Sequence, residues 1–113
     1  MTETDYISKL KAELGTGYSV SEDVVALAEK AVRDYPGSAQ LWHLRGHALL
    51  ARPDELWDES EALRSFQKAI ELDSSFAEAF DSIGNYFDGL KDDPNTAMTY
   101  FEKAAAIRGE PLG

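Results

Sequence analysis

The chain has 113 residues, no cysteine, and a formal net charge of −10 from 21 acidic against 11 basic residues. That length favours a single domain with a thin continuous core, and the missing cysteines exclude disulfides and thiolate metal sites. The acidic balance, with basic residues scattered rather than clustered, disfavours nucleic acid and anionic membrane as partners.

The opening MTETDYISKLKAELG lacks a basic start followed by an apolar run, and no apolar stretch nears the roughly 20 residues of a bilayer span. The expectation is a cytoplasmic protein. Tyr6, Ile7, Leu10 and Leu14 recur at near-helical steps and predict a first helix over 5–14, stopped by Gly15, Thr16 and Gly17. A second helix fits 22–35, with Ser21 as N-cap, Val24, Val25, Leu27, Ala28, Ala31 and Val32 on its apolar side, and Glu29 and Arg33 as a solvent-side pair. Pro36-Gly37-Ser38 closes it and caps a third helix, 39–51, carrying Leu41, Trp42, Gly46, Ala48 and Leu49.

Pro53 breaks that helix, and Ala62, Leu63, Phe66, Ala69, Ile70 and Leu72 predict a fourth over 59–72. Ser75-Phe76-Ala77-Glu78 has the spacing of a capping box and starts a fifth, 76–89. Asp93-Pro94 supplies an N-cap and a first-turn proline for a sixth, 94–108, which Gly109 and Pro111 end. No strand alternation is sustained anywhere, so the expected class is all-α.

Two stretches share one arrangement of small and aromatic residues. The first is Trp42-x-x-Arg45-Gly46-x-x-Leu49 followed by Ala62-x-x-x-Phe66-x-x-Ala69. The second is Phe80-x-x-Ile83-Gly84-x-x-Phe87 followed by Ala97-x-x-x-Phe101-x-x-Ala104. The alanines repeat at 35 residues and the glycines at 38, a period typical of stacked helix pairs. A glycine inside a helix costs about 1 kcal/mol relative to alanine, so Gly46 and Gly84 make sense where a neighbouring helix leaves no room for a side chain.

On these residues the chain resembles the tetratricopeptide-repeat (TPR) family, with some Sel-like repeat character in the last repeat. The resemblance implies a short right-handed α-solenoid of about three antiparallel helix pairs: a degenerate pair over 1–37, TPR-like repeats over 38–75 and 76–109, and a tail over 110–113. A worn first repeat shows in Val24, Ala28, Ala31 and Pro36. The departures from the family are Arg45 in place of Leu, Leu49 and Phe87 in place of Tyr, and Ser74 and Gly109 in place of Pro. The glycine-to-alanine interval is 16 in the first repeat and 13 in the second, against about 12 in the family, which predicts longer turns between the helices.

The resemblance also implies a concave peptide groove. Matching positions are Gln40, His43, His47 and Leu50 on the third helix and Glu78, Asp81, Asn85 and Asp88 on the fifth. Acids at the latter suggest a basic or polar segment as ligand. Family members that clamp the acidic C-terminus of heat-shock chaperones use Lys, Asn and Arg, whereas His43, His47, Ser82, Glu78 and Asp81 stand here and Asn85 alone fits; that reading is rejected.

On the sixth helix Ala97, Phe101 and Ala104 cluster, with Met98 and Ala105 to one side and Tyr100 and Ile107 to the other. This apolar arc is about 180° wide, where a surface helix needs little over 100°. Leu63, Ile70 and Leu72 of the preceding repeat are expected to meet the next repeat's first helix, whereas only Glu110-Pro111-Leu112-Gly113 stand after the sixth. The expectation is that Met98, Tyr100, Ala105 and Ile107 are covered by a second copy or a partner, giving a possible homodimer.

His43 and His47, four apart, could share a metal with Asp81, but no Glu follows His43 as in zinc proteases. Asp54, Glu55, Asp58, Glu59 and Glu61 surround Leu56 and Trp57 without EF-hand spacing; acids there suit a helix N-terminus, and Trp57 is expected to fold back on its own helix pair. No glycine-flanked serine elbow or phosphate loop is present. The reading is a non-enzymatic adaptor without metal or cofactor. The alternatives are an oligomerisation module or a fragment of a longer solenoid and, from another class, a metal-dependent hydrolase.

Overall fold

A computed structural model describes residues 1–17, 19–53 and 58–110. Among them run α1 (Glu3–Leu14), α2 (Glu22–Asp34), α3 (Ala39–Leu50), α4 (Glu59–Leu72), α5 (Ala77–Asn85) continued by a π-helical turn (Tyr86–Leu90), and α6 (Pro94–Arg108). No strand occurs among the described residues. The helices pack as successive pairs, α1 with α2, α3 with α4 and α5 with α6, and each pair rests on the next through α2 and α3, α1 and α3, and α4 and α5. This is the all-α, TPR-like architecture expected. The expectations for Asp54, Glu55, Leu56, Trp57 and Pro111 lie outside the described residues.

The chemistry of the caps sets most helix ends. Thr2 and Asp5 form a reciprocal capping box that starts α1 two residues before the expected point. Ser38, Asp58 and Asp93 accept from the backbone N–H of Leu41, Glu61 and Thr96, and Pro94 fills the first turn of α6. Gly109 ends α6 in the left-handed region at φ 71°, a conformation that costs glycine nothing.

Ser21 is the N-cap residue of α2 as expected, although its hydroxyl makes no cap bond. The cap expected for α5 is corrected. Ser75 does not cap α5, because its N–H and hydroxyl both go to Asp73 Oδ1, at 3.0 and 2.7 Å, and Phe76 becomes the cap residue. An ionised acceptor two residues upstream outcompetes the helix end.

Gly46 and Gly84 mark the closest approaches. A Cβ on Gly46 would lie 2.4 Å from the Phe66 ring, and one on Gly84 2.5 Å from the Phe101 ring. The alanines facing these contacts, Ala62, Ala69, Ala97 and Ala104, are all buried. Each glycine thus receives the aromatic ring of the second helix of its own pair.

The extra residue of the second repeat does not lengthen the turn after the helix. It is taken up within the helix, where the chain widens to the π-helical turn Tyr86–Leu90. Asp93 N–H then closes on the Phe87 carbonyl at 2.8 Å. This turn buries Tyr86 and brings Phe87 to stack on Tyr100 at 5.7 Å.

Arg45, where the resembled family prefers Leu, is buried and ties three helices together. Its guanidinium reaches Glu29 of α2 at 2.9 Å, Glu61 of α4 at 3.3 Å, and the fully buried Ser65 hydroxyl. The expected Glu29–Arg33 surface pair is therefore corrected: Glu29 turns inward to the less hydrated guanidinium. Arg45→Ala is expected to cost about 2 kcal/mol in urea unfolding, since hydrogen bonds to charged groups contribute roughly 1.5–3. Arg45→Met, which refills the volume and leaves the half-exposed carboxylates to water, should cost less than half as much.

The outer side of α6 differs from expectation in part. Met98 and Ile107 are exposed, at 50% and 37%. Tyr100 is not bare: its ring packs on Phe80 and Phe87 of the preceding helix, and Lys103 Nζ lies 5.6 Å over it. Ala105 is buried as well. Tyr100 leaves the exposed apolar arc of α6 because the π-helical turn sets Phe87 beneath its ring. Ile70 packs against Ala77 and Phe80 as the array requires, but Leu72 remains 39% exposed rather than meeting α5.

Candidate functional site

The first helices of the three pairs, α1, α3 and α5, share a face along which three cavities follow one another. The first, about 220 Å³, is walled by Lys11 of α1, Gln40, His43 and Leu44 of α3, and Phe76 and Glu78 at the start of α5. The second, about 200 Å³, lies between His47, Leu50 and Phe66 on one side and Ser82, Asn85, Tyr86 and Leu90 on the other. The third, about 320 Å³, runs from Leu14 and Gly15 to Leu44, His47 and Ala51.

His43 and His47 stand at the junction. One helical turn apart on α3, they direct both Nε2 atoms to one point, 3.1 Å from each other. Ser82 Oγ completes the triangle at 2.7 Å from His43 Nε2 and 3.1 Å from His47 Nε2, while its own hydroxyl donates to the Glu78 carbonyl at 3.0 Å. Aromatic packing fixes the ring planes: His43 lies against Phe76 and Phe66, and His47 against Phe66 and His43.

Withdrawal from water pushes the His43 imidazole down to about 3, helped by the neighbouring His47 and by Lys11 across the groove. The same desolvation lowers His47, although one edge of it stays open to solvent. Both rings are thus neutral near pH 7. The charged groups facing them are Lys11 from α1 and Glu78 from α5. An imidazole whose folded pKa is depressed contributes stability that is present above its unfolded value of about 6.5 and lost as pH falls toward the folded value. Stability should therefore fall as pH drops from about 6.5 toward 3, by up to about 1.4 kcal/mol per pH unit from His43, the exposed His47 adding less, and His43→Gln should flatten that slope in urea titrations.

The structure divides the sequence-predicted groove residues. Gln40, His43, His47, Leu50, Glu78 and Asn85 line the cavities. Asp81 instead turns to Arg108 at the end of α6, forming a 2.7 Å ion pair. Asp88 sits exposed on the π-helical turn and lines none of these cavities. With Asp81 paired and Asp88 displaced, Glu78 is the one carboxylate among the described residues walling the three cavities, so the acidic groove expected from the sequence is a mixed apolar and polar one.

Sequence reasoning missed Lys11, Leu44, Phe66, Phe76, Tyr86 and Leu90. The first comes from a helix whose alignment to the repeat is too worn to register. Phe66 and Phe76 reach the groove from beneath and from a helix start. Ser82 and Tyr86 follow Glu78 at four-residue steps, a signal the spacing did contain. The hydrolase alternative loses its third ligand, since Asp81 is held by Arg108.

The fold and the groove together define a TPR-like array of helix pairs. No protein-family model matches the sequence, and no curated protein matches it. Solved structures do. Two crystal structures of MamA superpose with a TM-score of 0.75 at 22% and 20% identity, covering 96% of this chain. This chain spans 59% and 55% of those MamA chains. The second TPR of Spaghetti (RPAP3), bound to the HSP90 peptide SRMEEVD, superposes with a TM-score of 0.73 at 21% identity, over 93% of this chain and 91% of that one. At such identities the likeness establishes the fold.

Proposed function

We propose that the chain is a protein-interaction module, without catalytic activity, whose α1/α3/α5 face holds a segment of a partner polypeptide. The observation that carries this reading is the continuity of the three cavities along that face. Each has room for about one large side chain, with hydrogen-bonding groups between them. The segment is one whose apolar side chains enter beside Leu44 and Phe66 and whose polar or basic group meets Glu78.

A TPR neighbour holding a peptide supports the general mode. The acidic sequence of that peptide does not suit this groove, which offers Lys11 as its cation and sets Glu78 opposite it. Ser82 and His43 stand at hydrogen-bond distance, as a nucleophile and base would. Ser82, however, lies mid-helix donating to a carbonyl, and no carboxylate among the described residues orients His43, so the pair reads as part of the groove lining.

The test is selection of peptides from a displayed library, followed by calorimetry on two groove variants. Glu78→Lys should weaken a selected basic segment at least tenfold, and Leu90→Glu should weaken any segment that fills the second cavity. With one groove carboxylate, salt dependence should be modest, because screening acts over about 8 Å at physiological ionic strength. Unchanged affinity in both variants overturns the groove reading.

Exposed Met98 and Ile107 favour a second reading, an oligomerising module or part of a longer array. It expects a dimer by light scattering that Met98→Glu with Ile107→Glu converts to a folded monomer. A wild-type chain monomeric at high concentration removes the dimer.

A further inference from the structure

His43 Nε2, His47 Nε2 and Ser82 Oγ converge to within 2.7–3.1 Å of one another. Hydrogen bonding through the serine holds them there: His47 Nε2–H donates to Ser82 Oγ, and the hydroxyl turns either to the His43 Nε2 lone pair or to the Glu78 carbonyl. With the ring protons on Nδ1, both Nε2 atoms present lone pairs to the same point.

We propose that His43 and His47 form a two-imidazole chelate for a divalent transition-metal ion of the zinc, nickel or copper class, with Ser82 as the residue that holds the rings converged. A point about 2.05 Å from both Nε2 atoms, the usual Zn–N distance, sees them at an angle of about 98°, between the octahedral and tetrahedral values. Imidazole nitrogens suit these ions, while magnesium and calcium prefer oxygen.

The site is organised before the ion arrives. The two ring planes lie at 82° to each other and are braced by Phe66 and Phe76. Cavities open on both sides of the pair, leaving positions on the ion for water or for a donor from a bound segment. The inference stands on these side chains alone and does not depend on the peptide reading.

The chain has two histidines and no cysteine, so imidazole-borne binding in a tag-free preparation reports on this pair. Zn²⁺, Ni²⁺ and Mg²⁺ titrated separately by calorimetry should show one ion per chain at micromolar affinity for Zn²⁺ and Ni²⁺ and no saturable binding of Mg²⁺. His47→Gln, at the open edge, should weaken binding at least tenfold while circular dichroism stays unchanged. Zn²⁺ should also shift the Nε2 resonances of both rings in nitrogen-detected spectra of the wild type, a readout that holds even if a variant fails to fold. Absence of saturable Zn²⁺ and Ni²⁺ binding, undiminished affinity in folded His47→Gln, or unmoved Nε2 resonances overturns the proposal.

Discussion

Truncating Phe66 to alanine is expected to lower the unfolding free energy by about 3–5 kcal/mol, the range for a large aromatic removed from a packed core. Phe66 is 1% exposed, fills the space left by Gly46, and braces both His43 and His47, with ring centres at 5.7 and 5.2 Å. The loss therefore empties the α3/α4 contact and frees the two imidazoles together. If the alanine variant is too unstable to measure, Phe66→Leu keeps most of the volume and should lose a smaller share. A change below about 1 kcal/mol on Phe66→Ala, read from urea midpoints, would contradict the packing described.

Filling the same contact from the other side should be nearly as damaging. Alanine at an open helical position would gain about 1 kcal/mol over glycine. At Gly46 the added methyl meets three Phe66 ring atoms at 2.4, 2.7 and 2.9 Å, and a ring buried at 1% has little room to retreat. Gly46→Ala is expected to be net destabilising, and Gly46→Leu to cost about 3 kcal/mol, the upper end for overpacking. Gly84 faces the half-buried Phe101, which can yield further, so Gly84→Ala should cost less than Gly46→Ala. Equal or raised stability in Gly46→Ala would mean the helices are not as close as the structure places them.

These two contacts are also where the sequence was most legible. A glycine inside a helical pattern, with alanine and phenylalanine at fixed distance in the next one, carries its own physical explanation, and the helix pairs followed from it. The fixed caps at Ser38 and Asp93 were legible for the same reason, as short polar side chains beside an apolar run. What the residues could not reveal was how the chain would absorb one surplus residue. A longer turn and a π-helical turn have the same length in sequence, yet the π-helical turn accompanies Tyr86 lining the groove, Phe87 beneath Tyr100, and Asp88 away from the cavities.

Charged residues were the least legible. Arg45, Glu29, Asp81 and Arg108 look like surface residues by type, and their partners lie on helices 16 or more positions away in the chain. Long-range ion pairs of this kind have no local spacing to betray them. Hence the groove was expected to be acidic when one of its acids is clamped on α6 and another stands off the cavities.

The central claim, that the α1/α3/α5 face is the binding surface, is tested most directly by mapping a selected peptide on the isotope-labelled chain. Backbone amide shifts concentrated at Lys11, Gln40, His47, Asn85 and Leu90 are the expected result. Shifts confined to the outward residues of α2, α4 and α6, such as Arg33, Arg64 and Met98, with the groove resonances unmoved, would contradict it.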